Sequence, residues 1–191
     1  MVRVIGGEAK GRILKSVRGK GTRPITDRVK EALFNILGPE VLDARVLDLF
    51  GGTGAVGIEA LSRGAEHATF VELAPKAYRV LRENLRLTGF QDRARTVRGD
   101  AFAFLRGRPE APYDIVYIAP PQYRGMWRKA LEFLDEHPEW VADEGLIVVQ
   151  IDPREWDPLE LRHFDLERER AYGDTLLLFW RKRPTQEPPA G

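Results

Sequence analysis

The amino-acid sequence predicts a single α/β domain in which helices cover both faces of a mainly parallel sheet. Strand-like runs alternate with helical ones, and the strand-like runs are continuously apolar, as in strands buried on both faces. The last two strand-like runs follow each other with no helix between them. The 191 residues, 43% of them hydrophobic, suffice for one such domain with a core but not for two full ones.

The chain opens with a predicted small hairpin or extended arm, because RVIGGEAKGRIL alternates around paired glycines. The segment TDRVKEALFNILG then predicts a helix that begins at a Thr or Asp N-cap and ends at Gly38 and Pro39. Its apolar face consists of Val29, Leu33, Phe34 and Leu37.

The middle of the chain alternates between the two element types. Strands are predicted at ARVLDLF, HATFVEL, ARTVRGD, YDIVYIA and GLIVVQI, and helices at AVGIEALSRG, PKAYRVLRENLRLTG, AFAFLRG and GMWRKALEFLDEH. The segment RHFDLERERAYGDTLLLFWRK predicts an antiparallel hairpin that closes one edge of the sheet. The result is a Rossmann-like sandwich with a basic N-terminal arm at 1–25, the main domain at 26–182 and a disordered tail at 183–191.

Composition excludes several kinds of chemistry. The chain has no cysteine, which rules out disulfides, cysteine-ligated zinc and thiol catalysis, and its three histidines are too scattered to predict a metal site. No apolar run approaches the roughly 20 residues that span a bilayer, and MVRVIGGEAKGR lacks the apolar stretch of a signal peptide. We therefore expect a cytoplasmic protein without a membrane partner.

Charge is distributed unevenly along the chain. Residues 1–30 contain nine Lys or Arg and two acids, a net charge of +7, which leaves −6 for the rest of a chain whose net charge is +1. A basic arm on a mildly acidic body is typical of a protein that meets a polyanion such as nucleic acid. The competing interpretation is a solvated loop that happens to be basic.

The segment VLDLFGGTGAVGIEA carries the clearest chemical signal. A buried strand with Asp48 near its end leads into Gly51, Gly52 and Gly54 and then into a helix. Glycines allow a ligand to approach the backbone closely, and the start of the helix offers free amide groups. This loop is predicted to bind a ligand.

The same segment also fits a dinucleotide fingerprint. Gly52, Gly54 and Gly57 match G-x-G-x-x-G, and Glu72 lies 20 residues after Gly52, where a ribose hydroxyl would be bound. Two features argue against a nicotinamide enzyme. Asp48 would repel a pyrophosphate but suits a ligand with an amino group and a sulfonium, and the chain has no room for a substrate domain.

A further acid, Asp100, follows the third strand-like run of the main domain. It can accept a hydrogen bond from the exocyclic amine of an adenine, and Ala101 could offer its backbone N–H to the ring. An Asp before a helix is also a common N-cap, so this residue by itself is a weak indication.

Seven segments together resemble the RsmD family of bacterial methyltransferases, which modify guanine N2 in 16S ribosomal RNA. They are GGEAKGRIL, TRPITDRVKEALFNIL, LDLFGGTGAVGIEALSRGA, FVEL, GDAFAFL, APPQYRGMW and YGDTLLLFWRK. The match runs in order from Arg3 to Lys182. The most specific segments are TRPITDRVKEALFN and GIEALSRGA, whereas the glycine loop alone would indicate only the wider class that uses S-adenosylmethionine.

The resemblance implies a class I S-adenosylmethionine-dependent methyltransferase that acts on 16S ribosomal RNA of the small subunit or an assembly intermediate. We expect it to be a monomer. It places the cofactor in the glycine loop, with Glu72 at the ribose and Asp100 at the adenine. The implied cofactor residues are Asp48, Phe50, Gly51, Gly52, Gly54, Glu72, Leu73, Asp100 and Ala101. The implied RNA-binding residues are Arg3, Lys10, Arg12, Arg23 and Arg28.

The implied catalytic segment, Ala119, Pro120, Pro121, Gln122 and Tyr123, departs from the family pattern. The family has Asp-Pro-Pro followed by Tyr or Phe, so Ala119 replaces the acid, Gln122 replaces the aromatic residue and Tyr123 stands one position late. Gln150 also lies where an acid is expected. We interpret the segment as an active site with altered acceptors, in which the Pro120 carbonyl and the side-chain carbonyl of Gln122 or Gln150 remain to orient the target amine.

Two other functions are compatible with these residues. The loss of the acid at Ala119 and of the aromatic residue at Gln122 favours a catalytically weak or silent RNA-binding or ribosome-assembly protein that keeps the cofactor pocket. An amino-methyltransferase for adenine or for DNA would use the same chemistry.

Overall fold

The computed structural model describes residues 1–17, 24–185 and 189–190 and confirms the predicted sandwich. Two short strands pair as an antiparallel N-terminal hairpin, β1 (Val2–Arg3) with β2 (Ile13–Leu14). Seven strands form the main sheet: β3 (Arg45–Asp48), β4 (His67–Glu72), β5 (Ala94–Arg98), β6 (Tyr113–Ile118), β7 (Val141–Ile151), β8 (Phe164–Tyr172) and β9 (Thr175–Lys182). The helices are α1 (Asp27–Leu37), α2 (Ala55–Ser62), α3 (Pro75–Thr88), α4 (Ala101–Leu105) and α5 (Met126–Glu136).

The strand order is β5-β4-β3-β6-β7-β9-β8. Strands β3 to β7 run parallel, while β9 pairs antiparallel with both β7 and β8. The carboxyl ends of five strands therefore meet at one edge, where α/β proteins of this kind bind their ligands. At that edge Asp48 of β3 lies in register between Phe70 of β4 and Tyr117 of β6.

Helices cover both faces of the sheet and produce two hydrophobic cores. Helices α1, α2 and α3 pack on one face together with Val2, Val4 and Leu14 of the N-terminal segment. Helices α4 and α5 pack on the other face, in a core that includes Trp127 of α5 and Trp140. The first residues of the chain are thus part of the domain's core.

Two short polar contacts set helix α1 and the N-terminal segment in place. The Thr26 hydroxyl accepts from the Val29 amide, which confirms the predicted N-cap. Lys30 is fully buried, and its Nζ lies 3.2 Å from Oε1 of the equally buried Glu59. The Glu59 carboxylate also accepts from two backbone amides, that of Ile5 at Oε1 and that of Gly6 at Oε2. Lys30 and Glu59 therefore connect the N-terminal segment to α1 and α2.

Part of the segment predicted as a disordered tail makes defined contacts. Arg183 forms an ion pair with Asp165 at 2.7 Å, and the Thr185 hydroxyl donates to Asp143 at 2.9 Å. Residues 186–188 and 191 lie outside the described residues, so the prediction for that part stays a prediction. Within the described ranges, no helix combines the length and apolar character needed to cross a bilayer.

Candidate active site

The glycine loop connects β3 to α2 at the carboxyl edge of the sheet. Gly51 donates its amide to the carbonyl of Val71 at 2.8 Å, which anchors the loop to β4. Gly54 then donates to the Gly51 carbonyl at 2.9 Å and starts the helix. The first amides of α2 have no helical acceptor, as expected for a ligand-binding turn, and that of Gly57 donates to Asp48.

The three glycines of the fingerprint have different physical roles. Gly52 has φ 56°, and a Cβ added there would meet open space, so this position leaves room for a ligand. At Gly54, with φ 91°, a Cβ would approach Leu81 to 2.6 Å, and at Gly57 it would approach the Phe70 ring to 2.3 Å. Gly54 permits close packing of α2 against α3, and Gly57 permits close packing of α2 against β4, so of these three glycines only Gly52 borders open space.

Asp48 is a buried carboxylate with an unused oxygen. The side chain is 2% exposed, and its Oδ1 atom has no hydrogen-bond partner. Burial raises the pKa of Asp48 to about 7, against the opposing effect of a hydrogen bond from the Gly57 amide. The site therefore holds an acceptor that a cationic or N–H-bearing ligand would satisfy.

Glu72 joins the end of β4 to the glycine loop. Its Oε1 accepts from the Gly52 amide and its Oε2 from the Ala74 amide, both at 2.9 Å. Both oxygens keep a second lone pair, which could accept from a pair of ribose hydroxyls. The next residue, Leu73, is 63% exposed and places an apolar side chain beside this acid.

Asp100 caps helix α4, which agrees with the N-cap interpretation of this residue. Its Oδ2 accepts from the Ala103 amide at 2.9 Å, while Ala101 at the first helical position is buried. Phe50, which follows β3, packs edge-on against Phe102 of α4, with 6.3 Å between the ring centres. Asp100, Ala101 and Phe50 thus lie at the same edge as the glycine loop.

The end of β6 brings the altered motif to this edge. Ala119 is partly buried and packs on the core beneath the loop, Pro120 and Pro121 are partly buried, and Gln122 is exposed. Register pairs Ile118 with Val149, which places Ala119 beside Gln150 of β7.

Near Ala119, the side chains of Tyr117 on β6 and Gln150 on β7 form a hydrogen-bonded pair. The Tyr117 hydroxyl donates to Oε1 of Gln150, so that carbonyl, which we expected to serve as an acceptor for the target amine, already has a donor. Burial and the nearby Asp48 raise the pKa of Tyr117 well above its ordinary value, so the phenol keeps its proton.

Tyr123 is held outside the strand by a polar network. It has φ 61°, an uncommon conformation for a non-glycine residue, and its ring is 56% exposed. Its hydroxyl donates to Asp152 at 2.8 Å and accepts from Arg154 at 2.6 Å, and its amide donates to Glu155. Hydrogen bonds from Arg154 hold the pKa of Asp152 well below its usual range.

The predicted RNA-binding residues that the structure describes have different local contacts. Arg3 pairs with Asp27 at 2.9 Å, Arg12 donates to the Leu87 carbonyl, and Lys10 is exposed. Arg28 lies over the Tyr172 ring at 5.9 Å. Arg23 lies outside the described residues.

Sequence reasoning missed Tyr117, Asp152 and Arg154. Tyr117 is part of an apolar strand and gave no separate signal. Asp152, in contrast, directly follows strand β7, and an acid at the carboxyl end of a parallel strand is a recognisable sign of a site.

Topology and site together define a class of protein. A parallel sheet with an antiparallel strand inserted near one edge, and a glycine loop with a distal acid at its carboxyl edge, is the architecture of the Rossmann-like methyltransferases. A family model described as conserved hypothetical protein 95 matches residues 2–181. The chain belongs to this family, the RsmD family that the sequence motifs resembled, and it is a methyltransferase.

Known proteins resemble the chain over nearly its whole length. Ribosomal RNA small subunit methyltransferase D of Escherichia coli strain K12 is 37% identical over 189 residues, which cover 99% of this chain and 94% of that protein. The solved structure of the putative methyltransferase yhhF from Escherichia coli has a TM-score of 0.85 at 36% identity and covers 95% of this chain and 98% of its own.

A more distant structure supports the fold alone. The RNA methyltransferase from Salinibacter ruber in complex with S-adenosyl-L-homocysteine has a TM-score of 0.64 at 18% identity, covering 87% of this chain and 97% of its own.

Proposed function

We propose that this methyltransferase transfers a methyl group from S-adenosylmethionine to the exocyclic N2 amine of a guanine in 16S ribosomal RNA, acting as a monomer in the cytoplasm. The observation that carries the proposal is the meeting of two features at one sheet edge. These are the open loop at Gly52 with the unused oxygen of Asp48, and the Ala-Pro-Pro turn at the end of the neighbouring strand. The names of the relatives support ribosomal RNA as the substrate.

The residues present fit the cofactor. S-Adenosylmethionine supplies an electrophilic methyl group on a sulfonium. Asp48 would accept from its ammonium group and Glu72 from its ribose hydroxyls, while Gly51, Gly52 and Gly54 would allow the backbone to approach. Phe50, Leu73 and Ala101 would line the apolar adenine, with Asp100 as acceptor for the adenine amine.

The substrate amine requires orientation because its lone pair is delocalised into the base. The Pro120 carbonyl would accept one N–H, which turns the lone pair toward the methyl group. Arg154 lies over the Tyr123 ring at 5.6 Å, and the remaining face of this largely exposed ring would stack on an extruded base. The Tyr123 hydroxyl is fixed by Asp152 and Arg154, so the ring would be held in place for stacking. Ala119 offers no side-chain acceptor where the family has an acid, and Gln122 offers no ring where the family has an aromatic residue. Pro121 would shape the turn.

The basic residues would hold the RNA around that base. Arg3, Lys10, Arg12, Arg23 and Arg28 would contact phosphates, which position a nucleic acid without reading its sequence. The side of the molecule that carries Arg3, Lys10 and Arg12 is built on the core through Val2 and Leu14, so it would present these cations on a rigid surface.

The test is methyl transfer to small ribosomal subunits that lack the modification, with labelled S-adenosylmethionine and nucleoside analysis of the product. We expect labelled N2-methylguanosine. Labelled methyladenosine, or no transfer of label to the RNA, would contradict the proposal. Gly52→Ala should abolish cofactor uptake because the side chain fills the open space. Gly89→Ala, also at positive φ in open space but at the end of α3, controls for backbone strain.

A further inference from the structure

Helix α3 presents a stripe of exposed cations that none of the roles described above uses. Its residues Lys76, Arg79, Arg82 and Arg86 are all exposed, whereas Leu81, Asn84 and Leu85 on the other side are buried. At about 100° per residue the four cations fall within an arc of about 120°. They therefore form one continuous surface, which we call the α3 stripe.

The charges of the α3 stripe are not neutralised by neighbours. In the part of the chain that the structure describes, no carboxylate forms an ion pair with Lys76, Arg79 or Arg86. Arg82 lies over the Tyr78 ring at 6.0 Å, which leaves its charge in place. The one acid of the helix, Glu83, is paired with Lys15 at 3.0 Å. A solvated helix face usually mixes both signs of charge. Glu83 also falls within the arc of the α3 stripe, but its charge is balanced by Lys15, so this face keeps an excess of four positive charges.

The stripe connects two parts of the molecule already described. Helix α3 begins at Pro75, three residues after Glu72, so Lys76 lies next to the proposed cofactor pocket. At the other end, Arg12 of the N-terminal segment donates to the Leu87 carbonyl at 3.3 Å. The basic surface therefore continues from the mouth of the site along α3 to the hairpin.

We infer that the α3 stripe binds the phosphate backbone of a double-helical RNA segment beside the target nucleotide, an inference that rests on the proposed function. From Lys76 to Arg86 the helix rises about 15 Å. Along the axis of a duplex, one strand carries about four phosphates over that length, counted at the roughly 3.4 Å of axis per phosphate of duplex DNA. Cations at this spacing can follow a phosphate chain.

The surroundings of the stripe favour a duplex over a single strand. Proteins that bind single strands stack the bases on exposed aromatic side chains. Among the described residues the one exposed large aromatic side chain is Tyr123, at the end of β6, and Tyr78 on α3 is covered by Arg82 and bonded to Thr96. The stripe can therefore bind phosphates but offers no platform for bases.

The test compares two double variants of the full chain. Arg79→Gln with Arg86→Gln removes two charges of the stripe while keeping good helix formers. Arg106→Gln with Arg108→Gln removes two exposed charges that follow α4 on the opposite face of the sheet. Binding of a short RNA duplex is measured over a range of salt concentrations, with circular dichroism and thermal melting to verify folding.

We expect the stripe variant to bind the duplex more weakly, with a slope of log K against log salt that is shallower by about 1.8, since each phosphate contact contributes about 0.9. For a fourfold rise in salt, the parent's Kd should then rise about twelvefold more than that of the variant. The control variant should behave like the parent.

Equal slopes for the parent and a folded stripe variant, or an equal loss in the control, would overturn the inference. A single-stranded oligonucleotide bound more tightly than the duplex would also overturn it. Methyl transfer by the parent to small subunits is assayed separately. If it is absent while the stripe still governs duplex binding, the proposed function fails and the binding surface stands.

Discussion

The buried carboxylate of Asp48 should make the stability of the protein depend on pH. Its pKa is raised from the ordinary value of 3.8 to about 7, because burial disfavours the charged form. A raised pKa means that the folded state binds the proton more tightly than the unfolded state between these values. The corresponding stability is fully present below about pH 4 and is lost as the pH rises through about 7.

The size of this effect follows from the shift. Three pKa units correspond to about 4 kcal/mol at about 1.36 kcal/mol per unit. Asp48→Asn removes the titration with little change of shape. We expect the free energy of unfolding of the variant, relative to that of the parent, to rise by about 3 to 4 kcal/mol between about pH 4 and pH 8.

Urea unfolding of both proteins at a series of pH values measures this difference. Taking the difference cancels the titration of the other groups, provided that they are independent of Asp48. Parallel pH profiles would refute the reasoning, because they would mean that water or a structural adjustment keeps the carboxylate ionised in the folded state. If the ammonium of S-adenosylmethionine pairs with Asp48, cofactor binding below about pH 7 should also release a proton. Calorimetry in buffers of different ionisation enthalpy detects that proton.

Three further predictions concern the catalytic turn and the N-terminal segment. Ala119→Asp restores an acceptor worth about 1 to 3 kcal/mol and should raise the methyl-transfer rate about fivefold to about 150-fold. An unchanged rate would show that the acceptor is not limiting. Gly7→Ala should lower urea stability by more than Gly11→Ala, since both have positive φ but only at Gly7 would the Cβ lie 1.9 Å from a backbone oxygen of α2. Glu59→Ala should lower the free energy of unfolding by about 3 to 5 kcal/mol, more than Lys30→Met does, because it leaves a buried charge and two amides without their partner. Equal losses for the two variants in urea unfolding would contradict this.

The fold was predictable because its elements have strong local signals. Five strand-like runs became parallel strands, the last two runs became the antiparallel pair β8 and β9, and Thr26 caps α1 as expected. The signals agree because each depends on neighbours in sequence: period, cap residue or turn residue.

Contacts between distant segments were not predictable from the same signals. Lys30 was counted with the basic arm, although its spacing from Leu33, Phe34 and Leu37 places it on the buried face of α1. A lysine there is stable only with a buried partner, and that partner, Glu59, lies on another helix.

The catalytic turn illustrates the same limit. A gapless alignment shows that Tyr123 is displaced by one position. It does not show that Tyr123 has φ 61° or that Asp152 and Arg154 hold its hydroxyl. Likewise, the Gln150 carbonyl was expected to be free, and only the register of β6 and β7 brings the Tyr117 hydroxyl to it.

Asn84 connects the N-terminal segment to the glycine loop. This side chain of α3 is fully buried; its Oδ1 accepts from the Lys15 amide, and its Nδ2 donates to the carbonyls of Lys15 and Thr53. One amide thus holds the end of the N-terminal segment and the glycine loop together. Because a buried polar group is costly when unpaired, neither segment can move without leaving Asn84 unsatisfied. The surface proposed to hold RNA and the loop proposed to hold the cofactor are therefore fixed relative to each other before either ligand binds.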